Sequence, residues 1–146
     1  MTHLVGLDPG RAKCGLVLVD ADQHLVLDGV VLPPSRVIDQ LMTWSNQREL
    51  QLILLGNGTS SERWGSALRQ LTSVKVVEEN GTTLRARERY WQLWPAQGLW
   101  QLLPRGLRLP PGELDAVAAL VMVEDHLGQR CQWPQPRPDF KSVPAP

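Results

Sequence analysis

Cysteine is scarce in this chain. Cys14 and Cys131 are the only two in 146 residues, too few for a disulfide framework or a zinc site. Cys14 lies in an apolar run and reads as a small core residue. Long apolar stretches are missing too: none approaches the ~18 residues of a membrane span, and the N-terminus lacks the pattern of a signal peptide. A soluble, cytoplasmic chain with no membrane partner is expected. Net charge is absent, because 15 Lys and Arg balance 15 Asp and Glu. No global field draws the chain to nucleic acid, so polyanion contact would need a local basic patch. Phe and Tyr occur once each while Trp occurs six times, and packing in a core or between subunits is the common use of such rings. The length suits one domain able to bury a core.

The pattern along the chain is that of an α/β protein. Leu4-Val5-Gly6-Leu7 reads as a buried strand ending at Asp8. Pro9-Gly10 turns the chain, since Pro9 cannot donate to a ladder. Lys13–Val19 and His24–Leu32 continue as the second and third strands of an antiparallel meander. Ser35 is placed to cap a helix carrying Val37, Ile38, Leu41 and Met42. Gln51–Leu55 is a fourth, buried strand that ends in Gly56-Asn57-Gly58. Thr59-Ser60-Ser61-Glu62 has the form of a capping box, ahead of a helix with Trp64, Ala67, Leu68 and Leu71 on one face. Val74–Val77 is the fifth strand, followed by Glu78-Glu79-Asn80-Gly81. Thr82 is then expected to cap a helix whose face carries Leu84, Trp91 and Trp94 and which ends at Pro95. Residues 96–112 read as an irregular loop. A last helix carries Leu114, Val117, Ala118, Val121 and Met122 and stops near Gly128. Residues 1–128 form the expected domain, and the proline-rich tail, 129–146, is expected to be extended and poorly ordered. Strand and helix alternate in the second half, which implies parallel pairing and right-handed crossovers there. The product is a mixed five-stranded sheet with helices on its faces.

Carboxylates gather at one edge of such a sheet. Asp8 ends the first strand, Glu78 and Glu79 follow the fifth, and Asp115 opens the last helix after Pro110-Pro111-Gly112. The carboxyl ends of parallel strands are where open sheets place their sites. Unpaired acids repel there unless a cation sits between them, and oxygen-only ligands favour magnesium or manganese. Ala118 and Ala119, one turn beyond Asp115, would let the helix approach the sheet closely. Each acid also has a plain structural role: Asp8 suits a turn, and Asp115 suits a helix N-terminus.

Gly6-x-Asp8-Pro9-Gly10-x-x-Lys13-x-Gly15, the acidic pair before Thr82-Thr83, and Asp115-Ala-Val-Ala118-Ala119 resemble the YqgF-type branch of the RuvC-like resolvases, within the ribonuclease H-like nucleases. The resemblance spans residues 4 to about 127. It implies a sheet of order 3-2-1-4-5 with strand 2 antiparallel and helices on both faces. It also implies metal-dependent hydrolysis of phosphodiesters in a structured nucleic acid, a branched DNA such as a Holliday junction or a ribosomal RNA precursor. Asp8, Glu79 and Asp115 take the places of the acids, catalytic and metal-ligating, with two Mg2+ or Mn2+ ions per site. The chain departs from the family at the fourth strand's end, where junction resolvases carry an acid and this sequence has Gly56-Asn57-Gly58. The arginine expected before the Thr pair is missing, and Ala118 stands where resolvases have a further aspartate. Three acids with no fourth leave room for weak or lost activity.

Lys13, Arg85, Arg87, Arg89, Arg105 and Arg108 are the candidate contacts to a nucleic-acid backbone. A solvated helix face explains Arg85, Arg87 and Arg89 equally well. A monomer or homodimer is expected. Two other readings compete with a nuclease. Sugar kinases and actin-like ATPases share the opening Asp and Gly turn, but they need two such domains. A non-catalytic ribonuclease H-like protein that binds nucleic acid or a protein partner is the stronger rival.

Overall fold

The computed structural model describes residues 2–58, 61–79, 81–104, 107–110 and 112–141. Five strands, β1 (His3–Asp8), β2 (Cys14–Asp20), β3 (Leu25–Leu32), β4 (Leu52–Gly56) and β5 (Ser73–Val77), form one sheet of order β3-β2-β1-β4-β5. β2 runs antiparallel to both β1 and β3, whereas β4 pairs parallel with β1 and with β5. Among the described residues, four α-helices complete the fold: α1 (Val37–Gln47), α2 (Ser61–Arg69), α3 (Thr82–Leu93) and α4 (Asp115–Leu127). This is the mixed sheet and the order that the resemblance implies.

The strands read as continuous apolar runs because both faces of the sheet are covered. Successive side chains point to opposite faces. Leu4, Val17, Val19 and Leu54 pack with α3 and α4. Val5, Leu7, Leu16, Leu18, Ile53 and Leu55 pack on the other face with Val37, Leu41 and Trp44 of α1 and Trp64 and Leu68 of α2. Each of these side chains, fully buried, contributes about 1.5–3 kcal/mol over exposure. Cys14 is buried among them, as its apolar setting suggests. No described helix is long and apolar enough to cross a membrane.

Several local expectations change. Ser35 is no helix cap: Pro34–Arg36 form a 3-10 turn, closed by the Arg36 N–H donating to the Pro33 carbonyl, and α1 starts only at Val37. Two consecutive prolines favour that tight turn, since each has its φ preset and no N–H to satisfy. On α3 the buried face is Thr82, Ala86 and Tyr90, while Leu84 is 66% exposed. Ala86 lets α3 lie close to α4, and Tyr90 is a buried ring whose hydroxyl accepts from Arg137 at 2.9 Å. Trp91 and Trp94 sit at the margin of this face, edge-on to Tyr90. The capping box at 59–62 and Asn80 fall outside the described residues or side chains. Gly98–Leu102 forms a 3-10 turn within the loop that follows α3.

The tail is extended, and through residue 141 it docks on the protein. Gln132 exchanges backbone hydrogen bonds with His24 and Val26, and the Lys141 N–H donates to the Val31 carbonyl. Trp133 is buried over Gly29 and stacks edge-on against Trp94. This line of contacts covers the otherwise open edge of β3, the kind of edge that invites pairing with other chains.

Candidate functional site

Asp8 lies at the end of β1 on the face that carries α4. Its two neighbours in the sheet are glycines. Gly15 is its partner across β2, and Gly56 follows Leu55, the partner of Leu7, on β4. Neither could carry a side chain. A Cβ at Gly15 would overlap the backbone of Asp115, and a Cβ at Gly56 would overlap the carboxyl group of Glu79. The first turn of α4 therefore rests on β2, and Glu79 reaches back from beyond β5 over the end of β4. Both arrive beside Asp8 through space left by a missing Cβ.

The electrostatics follow from that placement. The Asp8 carboxyl is pushed up to about 9, by burial first, then by the hydrogen bond and charge of Glu79 and by the charge of Asp115. Asp115 is also raised, by burial and then by Glu113, with Lys13 opposing. The Lys13 ammonium donates to Glu113 at 2.8 Å and stands 5.0 Å from the Phe140 ring centre. Glu113 raises the pKa of Lys13 in turn. One oxygen of Glu79, Oε1, is buried and lacks a hydrogen-bond partner among the described residues.

The three acids thus share one edge, with Asp8 in the middle. Even so, among the described residues no group of three or more His, Cys, Asp and Glu side chains is placed to hold a metal ion together. The donor set itself fits a hard divalent cation: carboxylate oxygens only, one of them buried and unpartnered.

The arginines distribute differently from the expectation. Arg85 and Arg89 do not form an open basic patch. Arg85 forms a two-pronged ion pair with Asp125. Arg89 forms one with Glu124 and also donates to the Cys131 carbonyl at 2.8 Å. Their partners lie in the last turn of α4, ~15 Å along the helix from Asp115 at about 1.5 Å per residue. Arg108 donates to the carbonyls of Leu103 and Gln101 and so braces its own loop. Arg87 is half-buried, and its Nε finds no partner among the described residues. Arg105 lies outside the described residues. Of the candidate cations among the described residues, Lys13 is placed beside the acids.

Three residues were missed in the sequence. Arg11 is exposed in the turn that follows Asp8, inside the motif itself. Arg63, exposed on the first turn of α2, stands near enough to the start of β2 that its charge opposes, without reversing, the upward shift that burial gives the Cys14 thiol. Neither arginine has an ion pair among the described residues. Asn57, between the two glycines of the β4 turn, accepts from the Glu79 N–H at 3.1 Å. Arg11 was readable as a cation within a Gly-rich turn, whereas Arg63 and Asn57 gave no local signal.

A five-stranded sheet of this order with acids at the Asp8 edge defines a ribonuclease H-like fold. Comparison with one solved structure agrees. The chain is similar to the Fowlpox virus resolvase solved with Holliday junction DNA, at 7% identity and a TM-score of 0.51, covering 87% of this chain and 97% of that one. It is also similar to Thermus thermophilus RuvC in complex with a Holliday junction substrate, at 13% identity and a TM-score of 0.46, covering 90% and 99%. No protein-family model matches the chain, and no curated protein matches it in sequence.

Proposed function

We propose that this protein is a divalent-metal-dependent nuclease that hydrolyses phosphodiesters in structured nucleic acid, with branched DNA as the first substrate to test and ribosomal RNA precursors as the second. The observation that carries this reading is the pair of glycines flanking Asp8, which admit Asp115 on one side and Glu79 on the other. A fold has no structural need to bring three acids to one sheet edge, where their repulsion costs stability. The ribonuclease H-like fold and the likeness to a resolvase solved with Holliday junction DNA support the same class. Magnesium or manganese held by Asp8, Glu79 and Asp115 would supply activation of water and neutralisation of charge at the scissile phosphate. Asp8 keeps a proton well above the ordinary carboxyl range, so cation binding must displace it and tightens as pH rises. Lys13 is held by Glu113 beside Asp115, where its ammonium can meet a phosphate oxygen. Arg11 and Arg63, free of internal ion pairs among the described residues, take the flanking phosphates through their planar guanidinium groups. Water attacks phosphorus, the P–O bond to the leaving strand breaks, and the freed oxygen takes up a proton.

The rival reading, a non-catalytic nucleic-acid-binding protein, draws on one observation: the acids do not close into a single ligand group among the described residues. Cleavage of a four-way DNA junction and of a structured RNA, with manganese and with chelator, decides between them. Metal-dependent cleavage by the wild type, lost in Asp8→Asn, Glu79→Gln and Asp115→Asn, supports the nuclease. Binding without cleavage under every condition supports the rival.

A further inference from the structure

We propose that Asn57 is a positioning residue that holds Glu79 over the end of β4. The inference rests on the nuclease reading for the role of Glu79, and on geometry for the rest. Glu79 lies beyond the last strand residue, Val77, where no ladder fixes it. Its backbone is instead clamped on both sides. The Asn57 side-chain oxygen accepts the Glu79 N–H at 3.1 Å, and the Asn57 N–H donates to the Val77 carbonyl at 2.9 Å. On the far side, the Thr82 hydroxyl donates to the Glu79 carbonyl at 2.8 Å, and the Thr82 N–H does so at 3.0 Å.

The glycines around Asn57 complete a socket. A Cβ at Gly56 would overlap the Glu79 carboxyl group, and one at Gly58 would stand 2.9 Å from its Oε2 and 3.5 Å from the Pro9 carbonyl oxygen. Asn57 thus sets the height of Glu79, and the two glycines leave the space its carboxylate occupies beside Asp8. Gly-Asn-Gly at this strand end is a receptor for an acid supplied by the neighbouring strand. Asn57 is exposed and belongs to neither core, so packing does not account for its side chain.

The test compares wild type with Asn57→Ala, Asn57→Asp and Gly56→Ala. Manganese affinity is read by electron paramagnetic resonance, Glu79 amide exchange by NMR in chelator, and stability by melting in chelator. Asn57→Ala is expected to weaken manganese binding roughly tenfold, to speed Glu79 amide exchange about fivefold, and to leave the melting point nearly unchanged. Asn57→Asp keeps the acceptor oxygen and should restore the slow exchange. Gly56→Ala should weaken manganese binding with Asn57 intact, because it fills the socket. Unchanged exchange in Asn57→Ala overturns the proposal. Faster exchange with wild-type manganese affinity also overturns it, reducing Asn57 to a structural contact. If the wild type itself binds no manganese, the metal reading of the site fails, and the exchange result alone decides whether Asn57 holds Glu79.

Discussion

Replacing the Asp8 carboxyl with the amide of the same shape, Asp8→Asn, should stabilise the protein at neutral pH. The group is pushed up from an ordinary 3.8 to about 9 by burial, by the hydrogen bond and charge of Glu79 beyond β5, and by the charge of Asp115 on α4. Lys13, whose charge is felt at Asp115, is already engaged by Glu113. A carboxyl raised in the folded state contributes stability that is fully present below pH 3.8. That stability is lost as pH rises toward 9, because the unfolded chain releases its proton first. From pH 3.8 to pH 7 the interval is about 3 units, and at about 1.36 kcal/mol per unit the loss reaches ~4 kcal/mol. This is an upper bound, since water entering the folded edge screens the buried charge. The substituted amide has no proton to lose and still offers an N–H to Glu79. Asp8→Asn should therefore exceed wild type by up to ~4 kcal/mol at about pH 7 and by almost nothing near pH 4. Urea unfolding in chelator, repeated from about pH 4 to pH 8, measures both curves. A variant less stable than wild type at neutral pH, or a gap that ignores pH, would mean that Asp8 serves as a turn cap and meets no like charge.

Nucleic-acid affinity should fall with added salt, with a slope set by the phosphates contacted. Arg11→Ala with Arg63→Ala should flatten that slope by about 2, whereas Arg85→Ala with Arg89→Ala should leave it alone, because the latter pair is engaged by Asp125 and Glu124; the reverse result would return the interface to α3. Arg89→Ala should cost ~3–5 kcal/mol in unfolding experiments, since it strands the buried Glu124 carboxylate. Arg85→Ala, at a half-exposed pair, should cost no more than ~1 kcal/mol, and equal losses would refute the distinction.

Much of the sheet was legible because its signals are local. The apolar run before Asp8, the Pro9-Gly10 turn and the glycine-rich end of β4 each declare a strand boundary within a few residues. The helix stop at Gly128 was equally plain, and there the chain does turn with a positive φ of 69°. Failures came where the deciding partner is distant. Leu84, Trp91 and Trp94 are the large apolar residues that suggested a face on α3, yet Ala86 and Tyr90 are buried because α4 and Arg137 meet that side. Arg85 and Arg89 look like a free basic face until the acids of α4, far along the chain, pair with them. The acids themselves could be picked out by type and by position at strand ends. The glycines that admit them could not, because the atoms they make room for belong to Glu79 and Asp115. Proline-rich composition argues against helix in the tail but is silent on docking, which depends on partners as distant as His24, Gly29 and Val31.

The cover on β3 is made late. Gln132 and Lys141 bond to His24, Val26 and Val31, residues that leave the ribosome long before them. At a synthesis rate of ~5–20 residues per second, the nascent chain can pair its meander and seat α1 within seconds, but one border of the sheet stays bare until residues 132–141 emerge. Burial of Trp133 against Gly29 and Trp94 is then a late folding step that shuts this border. Up to that moment the growing protein carries an unprotected row of backbone donors and acceptors along β3, the kind of edge that invites pairing with another chain.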